Sequence, residues 1–324
     1  MTSNRSDILD WSDQGRIPHD RLREALDLAG VLPGAADWRR FLERMFLFMG
    51  VVLLAAGAIF FFAFNWRDLG RFAKFALVEA PVVAALVFVW RLGVDSIAGK
   101  ATLIFISLLT GALLALVGQT YQTGADTFEL FAAWAAAILP WVLVARFPVL
   151  WIVWLALVNL ALSLYFITFG FLWGMLFAPE KLIWLLFGLN TAALALWEIF
   201  AANGLNWLRE RWSVRILATA GGALVTVLAL QDIVDWRGSS HWGAPLWGAW
   251  IAAAYVAYRH WVKDVYVLAG GVLSATAIAT TFVAKQLQMR DAGALLLLGL
   301  LVIGMSAAGG YWLKQVAAAE EEDA

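Results

Sequence analysis

The sequence predicts an all-α protein: a polytopic bundle of about ten transmembrane helices behind a short helical cytoplasmic N-terminus. Three observations carry that reading. Hydrophobic residues make up 63% of the chain and charged residues 15%, against about 45–50% and about 25% in soluble domains. The apolar residues fall in blocks of about twenty, the length a helix needs to cross a bilayer, rather than in stripes. Many of the 19 tryptophans, Trp66, Trp90, Trp173, Trp242 and Trp261 among them, stand at block ends, where amphipathic rings suit the headgroup level.

Residues 1–43 form the soluble-looking segment. Gly15 to Pro18 reads as a turn, and Pro18 suits the first position of a helix carrying Asp20 and Glu24 in its early turns. Leu22, Leu26 and Ala29 repeat on one face until Gly30 and Pro33 stop that helix. A second helix starts near Asp37 and runs into the bilayer. So small a segment buries little core, which suits a cap or a docking piece. The first membrane half, residues 44–168, holds spans at 45–64, 72–90, 101–118, 128–145 and 149–168. The second, residues 169–313, holds spans at 182–201, 214–231, 245–260, 265–284 and 292–313, and 170–178 reads as a re-entrant or interfacial turn. Residues 314–324 are an acidic, solvated tail.

Twelve Lys and Arg fall on the N-terminal side of this arrangement and seven on the other, which places both termini in the cytoplasm. The expected location is a bacterial inner membrane, crossed many times. A formal charge of -1 without a long basic tract argues against a nucleic-acid partner. With no cysteine, thiol nucleophiles, disulfides and thiolate metal sites are excluded. The N-terminus lacks the pattern of a cleaved signal peptide. No Walker loop, H-E-x-x-H or G-x-S-x-G motif is present, and the three histidines are scattered. No catalytic residue, metal or cofactor is therefore assigned.

The polar stretch Gln119 to Thr127 stands between two spans and faces outward on this topology. Asp126 with Glu129 has the spacing of a helix capping box, with Thr123 as an alternative cap, and Gly124 would permit a conformation closed to other residues. A cap alone does not call for Gln119, Tyr121 and Gln122, which with Asp126 could instead line a site for a polar solute or lipid headgroup. Glu79 lies inside the second span beside Pro81, and an ionisable group there is a functional candidate or a snorkelling carboxylate at a kink. Asn65, at the end of the first span, is a helix cap or a further member of the same outer cluster. Glu198 is expected to pair with Arg209 or Arg211. Asn159 and Asn190 read as hydrogen-bond glue between helices, and the pairs Gly221-Gly222, Gly270-Gly271 and Gly309-Gly310 as packing features. Gly111-Ala-Leu-Leu is echoed by Gly222-Ala-Leu-Val, and each leads to a glutamine, Gln119 or Gln231.

Phe64-Asn65-Trp66, the helix opening Arg71-Phe-Ala-Lys-Phe-Ala-Leu77, and Gly118-Gln-Thr-Tyr121 with Gly124-Ala-Asp126 occur in an order that resembles the bacterial membrane proteins of domain of unknown function 2157. Gly124-Ala125-Asp126 carries one residue more than that family's Gly-Asp step, and the likeness covers about residues 1–165. It implies membrane location and topology, and no activity. Two functions follow as expectations. One is the binding or movement of a small polar solute or lipid at Asn65, Glu79, Gln119, Tyr121, Gln122 and Asp126 near the outer leaflet. The other is a non-catalytic scaffold or sensor whose N-terminal helices dock a membrane or cytoplasmic protein partner.

Overall fold

The computed structural model describes residues 4–64, 70–170, 179–234, 241–287 and 292–323, and these form helices and short connections without a strand. Two compact units emerge: Ala35–Leu182 with Leu205–Arg209, and Met1–Gly34 with Ile183–Gly204 and Glu210–Ala324.

At the N-terminus, α1 (Asn4–Asp13) packs on α2 (Leu22–Leu28). Pro18 precedes a single 3₁₀ turn, His19–Arg21, that leads into α2, and Gly30 ends it at φ +67. The side chain of Ser12, buried, meets His19 Nδ1 at 3.0 Å across the turn. Leu22, Leu26 and Ala29 are half-buried, while Leu28 stands exposed.

The first membrane unit contains α3 (Ala35–Phe64), α4 (Arg71–Leu92), α5 (Ile97–Tyr121), α6 (Thr127–Ala145) and α7 (Pro148–Gly170). The expected helix at Asp37 and the first span are one continuous element, α3. Helix α5 is central: α3, α4 and α6 all pack on it, and Leu103, Ile106 and Leu109 are fully or nearly buried. Such a helix, apolar on every face, is what a bundle interior requires. Gly111 lets the ring of Trp134 from α6 lie directly against the α5 backbone, where any Cβ would collide with it. The indole then donates to the Ser107 carbonyl at 2.7 Å, and Trp154 of α7 donates to the Ala135 carbonyl at 3.1 Å. These bonds satisfy the polar edge of rings held in an apolar core.

The second unit contains most of α8 (Pro179–Ala202), then α9 (Arg211–Val234), α10 (Gly243–Val256), α11 (Val265–Leu287) and α12 (Ala292–Asp323). Helices α10 and α11 pack on α9, and α12 packs on α11. Phe187, Val225 and Leu228 form its apolar centre, with Trp247 and Trp250 against them. The start of α10 lies close to the α9 backbone at Leu228 because Gly243 has no Cβ, and Asp232 accepts from the Ala244 amide at 2.9 Å.

Nine helices among the described residues are long and apolar enough to cross a membrane. The span expected at 245–260 is the exception. Its α-helical part has 14 residues and passes into a π-helical turn, Ala257–Trp261. The α-helical part alone reaches about 21 Å, and the π-helical turn carries the chain on to Asp264, which meets Arg211 at the start of α9, so α10 returns the chain to the end from which α9 sets out. The reading of 170–178 as a turn falls on 171–178, outside the described residues.

Candidate functional site

The polar stretch between α5 and α6 is shorter than its composition suggests. Gln119, Thr120 and Tyr121 complete α5, and Gln122 ends it in the left-handed region at φ 47, its amide bonding to the Gly118 carbonyl. Gly124 takes φ +67. Asp126 and Glu129 close both halves of the capping box that their spacing predicts, with the Asp126 amide donating to Glu129 at 3.2 Å. Four of the six candidate residues, Gln119, Tyr121, Gln122 and Asp126, thus sit together and exposed at one end of the first unit. Tyr121 lies 5.9 Å from the Phe75 ring of α4. Glu79, one turn further along α4, is exposed and makes no ion pair among the described residues. Asn65 lies outside them.

The second unit holds a cluster that extends the pairing expected of Glu198. Arg211 and Arg215 stand one turn apart on α9 and therefore share a face. Arg211 donates to Glu198 of α8 at 2.9 Å and to Asp264 at 3.0 Å, and Arg215 approaches Asp264 at 3.3 Å. Of the two expected partners for Glu198, Arg211 is the one that binds it. Asp264 immediately precedes α11 and accepts from the Tyr266 amide at 3.1 Å, so it caps that helix as well. Its side chain is only 1% exposed. A carboxylate so far from water is tolerated because two guanidinium groups and a backbone amide surround it. Tyr258, in the π-helical turn, lies 5.6 Å beneath the Arg211 guanidinium, and Tyr266 lies 5.6 Å beneath that of Arg215. Such stacking suits the flat, weakly hydrated arginine head. The cluster joins α8, α9, the π-helical turn and α11.

Beside it an open groove of about 550 Å³ runs along α9, α10 and α11, with Thr219, Ala223, Tyr266, Gly270 and Leu273 exposed along it. Ala218, Ala223 and Gly270 line it with small groups, and Trp250 supplies one wall. A Cβ added to Gly270 would meet nothing within 4 Å, which marks the open space. Two polar positions punctuate the lining. Thr219 Oγ1 and the Tyr266 hydroxyl are 3.1 Å apart near the cluster. Deeper, Thr226 and Ser274 are 2.6 Å apart, and the Trp247 indole donates to Ser274 at 2.7 Å. The remaining surface is apolar and suits an alkyl chain.

Chain composition could not announce this groove, because its walls are the same Ala and Gly that usually signal tight helix packing. The ion-pair cluster did leave a signal: an i, i+4 arginine pair opening one span and an aspartate directly before another. Asn159 and Asn190 each donate to the carbonyl one turn back on their own helix, at 2.8 Å in both cases. Trp90, Trp242 and Trp261 stand exposed at helix ends, as interfacial rings should. Among the described residues no group of three or more His, Asp or Glu is placed to hold a metal ion.

One family model matches the stretch that holds α3 to α6 and the capped turn. Residues 9–151 match the family model described as Predicted membrane protein (DUF2157). The first half of the chain is similar to that family. No curated protein and no solved structure matches the chain. The matched stretch contains the exposed turn with Gln119, Tyr121, Gln122 and Asp126, while the arginine cluster and the groove lie beyond it. The chain is thus an integral membrane protein whose helices require a lipid bilayer around them.

Proposed function

We propose that this membrane protein binds an amphipathic molecule taken from the bilayer, without chemically altering it, in the groove along α9, α10 and α11. The observation that carries this reading is the groove itself, a wall of small, alkyl-compatible residues with hydroxyl groups at two depths. We place the protein in a bacterial inner membrane with both termini cytoplasmic, which puts the arginine cluster at the cytoplasmic surface.

Protein purified in mild detergent and released intact into a mass spectrometer should carry one lipid-sized adduct, and Gly270→Leu should remove it. Adducts equal in number and mass on both proteins would defeat this reading.

The exposed turn of the matched stretch supports a second reading, in which Asn65, Glu79, Gln119, Tyr121, Gln122 and Asp126 receive a polar solute or headgroup near the outer leaflet. Its support is that Gln119 and Gln122 spend no side-chain hydrogen bond on the protein among the described residues. Single cysteines at Gln122, Glu79 and Asn65 in this cysteine-free chain would test it. Labelling by an impermeant thiol reagent at all three fits an open site; labelling at Gln122 alone fits a plain loop. The scaffold reading draws on the N-terminal helices, but the half-burial of Leu22, Leu26 and Ala29 leaves a smaller apolar stripe for a partner than an exposed face would.

A further inference from the structure

We infer that the head of the molecule held in the α9–α11 groove is an anionic phosphate-bearing lipid headgroup, and that Arg215 with Tyr266 recognises it. The inference rests on the groove reading above and names the ligand class for that same site. Tyr266 lines the groove, and Arg215 lies over its ring at the same end. Arg215 uses its Nε atom on Asp264, at 3.3 Å from both carboxylate oxygens, and its two terminal nitrogens make no hydrogen bond among the described residues. Its side chain is 45% exposed, so those nitrogens can reach a headgroup. Two parallel N–H groups on one guanidinium match two phosphate oxygens, a geometry that lysine does not offer.

Charge points the same way. Arg211, Arg215, Arg259 and Lys263 gather at this end of the second unit, against Glu198, Glu210 and Asp264. Each of those carboxylates is engaged: Glu198 with Arg211, Asp264 with both arginines, and Glu210 with the Trp212 indole at 2.7 Å. Among these seven side chains the balance is positive by one, and the uncommitted Arg215 nitrogens present that charge to a headgroup of net negative charge. Geometry sets the depth. From Arg215 to Thr226 is about 16 Å along α9, close to half of the roughly 30 Å hydrocarbon core. A headgroup at Arg215 therefore puts its acyl chain alongside the small residues Ala218, Gly222 and Ala223, ending near the Thr226–Ser274 pair at mid-membrane depth. The hydroxyls of that pair are bonded to each other, so the chain end meets no stranded polar group.

The test compares phosphatidylglycerol with phosphatidylcholine of identical acyl chains, added to delipidated full-length protein and counted by native mass spectrometry. The unaltered protein should prefer phosphatidylglycerol by roughly tenfold, because the choline of phosphatidylcholine brings a second cation up against Arg215 and its neighbours. That preference should shrink as salt is raised, a check that needs no variant. Arg215→Gln should abolish the preference while keeping a single bound lipid of either kind, and Arg215→Lys should restore part of it. Equal binding of both lipids by the unaltered protein, or a preference undiminished in Arg215→Gln, would overturn the headgroup assignment and leave the groove reading standing. Phosphatidylglycerol binding unchanged in Gly270→Leu would overturn the groove reading itself. A dimer that Gly270→Leu converts to monomer would show a helix of a second copy in the groove, and would overturn both.

Discussion

The contact between α5 and α6 and the space between α9 and α11 are built from the same kind of residue with opposite results. In the first, Gly111 admits Trp134, whose ring occupies the place a side chain would have taken. In the second, Gly222 brings Trp250 to 3.1 Å from where its Cβ would be, yet Gly270 faces nothing within 4 Å. The echo of Gly111-Ala-Leu-Leu in Gly222-Ala-Leu-Val is therefore also an echo in packing, since each glycine meets a tryptophan from the next helix. The first site is closed because one aromatic ring fills one notch. The second stays open because α11 adds further small residues that no ring covers. A glycine in a membrane helix removes a side chain, and its neighbour decides whether contact or groove follows.

The two halves also differ in what holds their helices. The first relies on apolar burial and indole hydrogen bonds, while the second adds the clasp of Asp264 with Arg211 and Arg215. Asp264→Asn should show the largest effect. It leaves two arginines without their shared counter-charge, a loss near the lower end of the roughly 3–5 kcal/mol seen for broken buried pairs. Exposures of 29% and 45% for the arginine side chains keep it from the upper end. Unfolding titrated with SDS in mixed micelles would measure it. A loss below about 1 kcal/mol, the scale of an exposed ion pair, would mean that the clasp is solvated and does not fasten α9 to α11.

The comparison itself is tested by one substitution made twice. Gly111→Leu must displace the Trp134 ring and should cost about 1–3 kcal/mol, as overpacking does. Gly270→Leu enters open space and gains helix propensity, so it should leave stability within about 0.5 kcal/mol of the parent or slightly above it. Equal costs at both positions would erase the distinction between a filled notch and an open one.

Fold class and most helices were legible because the bilayer imposes a length and an apolarity on each span that composition records directly. The capping box at Asp126 and Glu129 was legible for a similar reason: it is local, and its spacing of three is its geometry. The groove was not, since it depends on which of several small residues from three helices meet without a ring between them. Gly270 and Gly271 are adjacent in sequence, yet only a Cβ on Gly271 would find a neighbour, Ile251 at 3.8 Å. The partnership of Asp264 with Arg211 and Arg215 spans 53 and 49 residues and is likewise a product of tertiary packing. The outer-leaflet candidates sit between these extremes. Gln119 to Asp126 are neighbours in sequence and in space, whereas Glu79 reaches that end of the unit only through the packing of α4 on α5.

A smaller effect is expected at the exposed turn, where local chemistry alone should act. Asp126→Ala removes the side-chain half of the capping box and should cost about 1 kcal/mol, measured in the same micelle titration. A much larger loss would mean that the aspartate supports something beyond the start of α6, and would strengthen the outer-site reading.

The smallest expected effect is also the most informative about that reading. Gln122 holds φ 47, a left-handed conformation that costs an L-residue about 1–2 kcal/mol. Glycine would adopt it freely but would lose more chain entropy on folding, by about 0.5–1 kcal/mol. Gln122→Gly should therefore stabilise the protein slightly, by up to about 1 kcal/mol. Arg146 ends α6 at φ 44, and Arg146→Gly serves as a control in which the same backbone exchange is made at the C-terminal end of the next helix. If both variants gain equally and solute or lipid binding is unchanged, Gln122 is simply the residue that ends α5. If Gln122→Gly gains stability and loses binding while Arg146→Gly keeps it, the amide has been retained against backbone strain because it contacts a ligand.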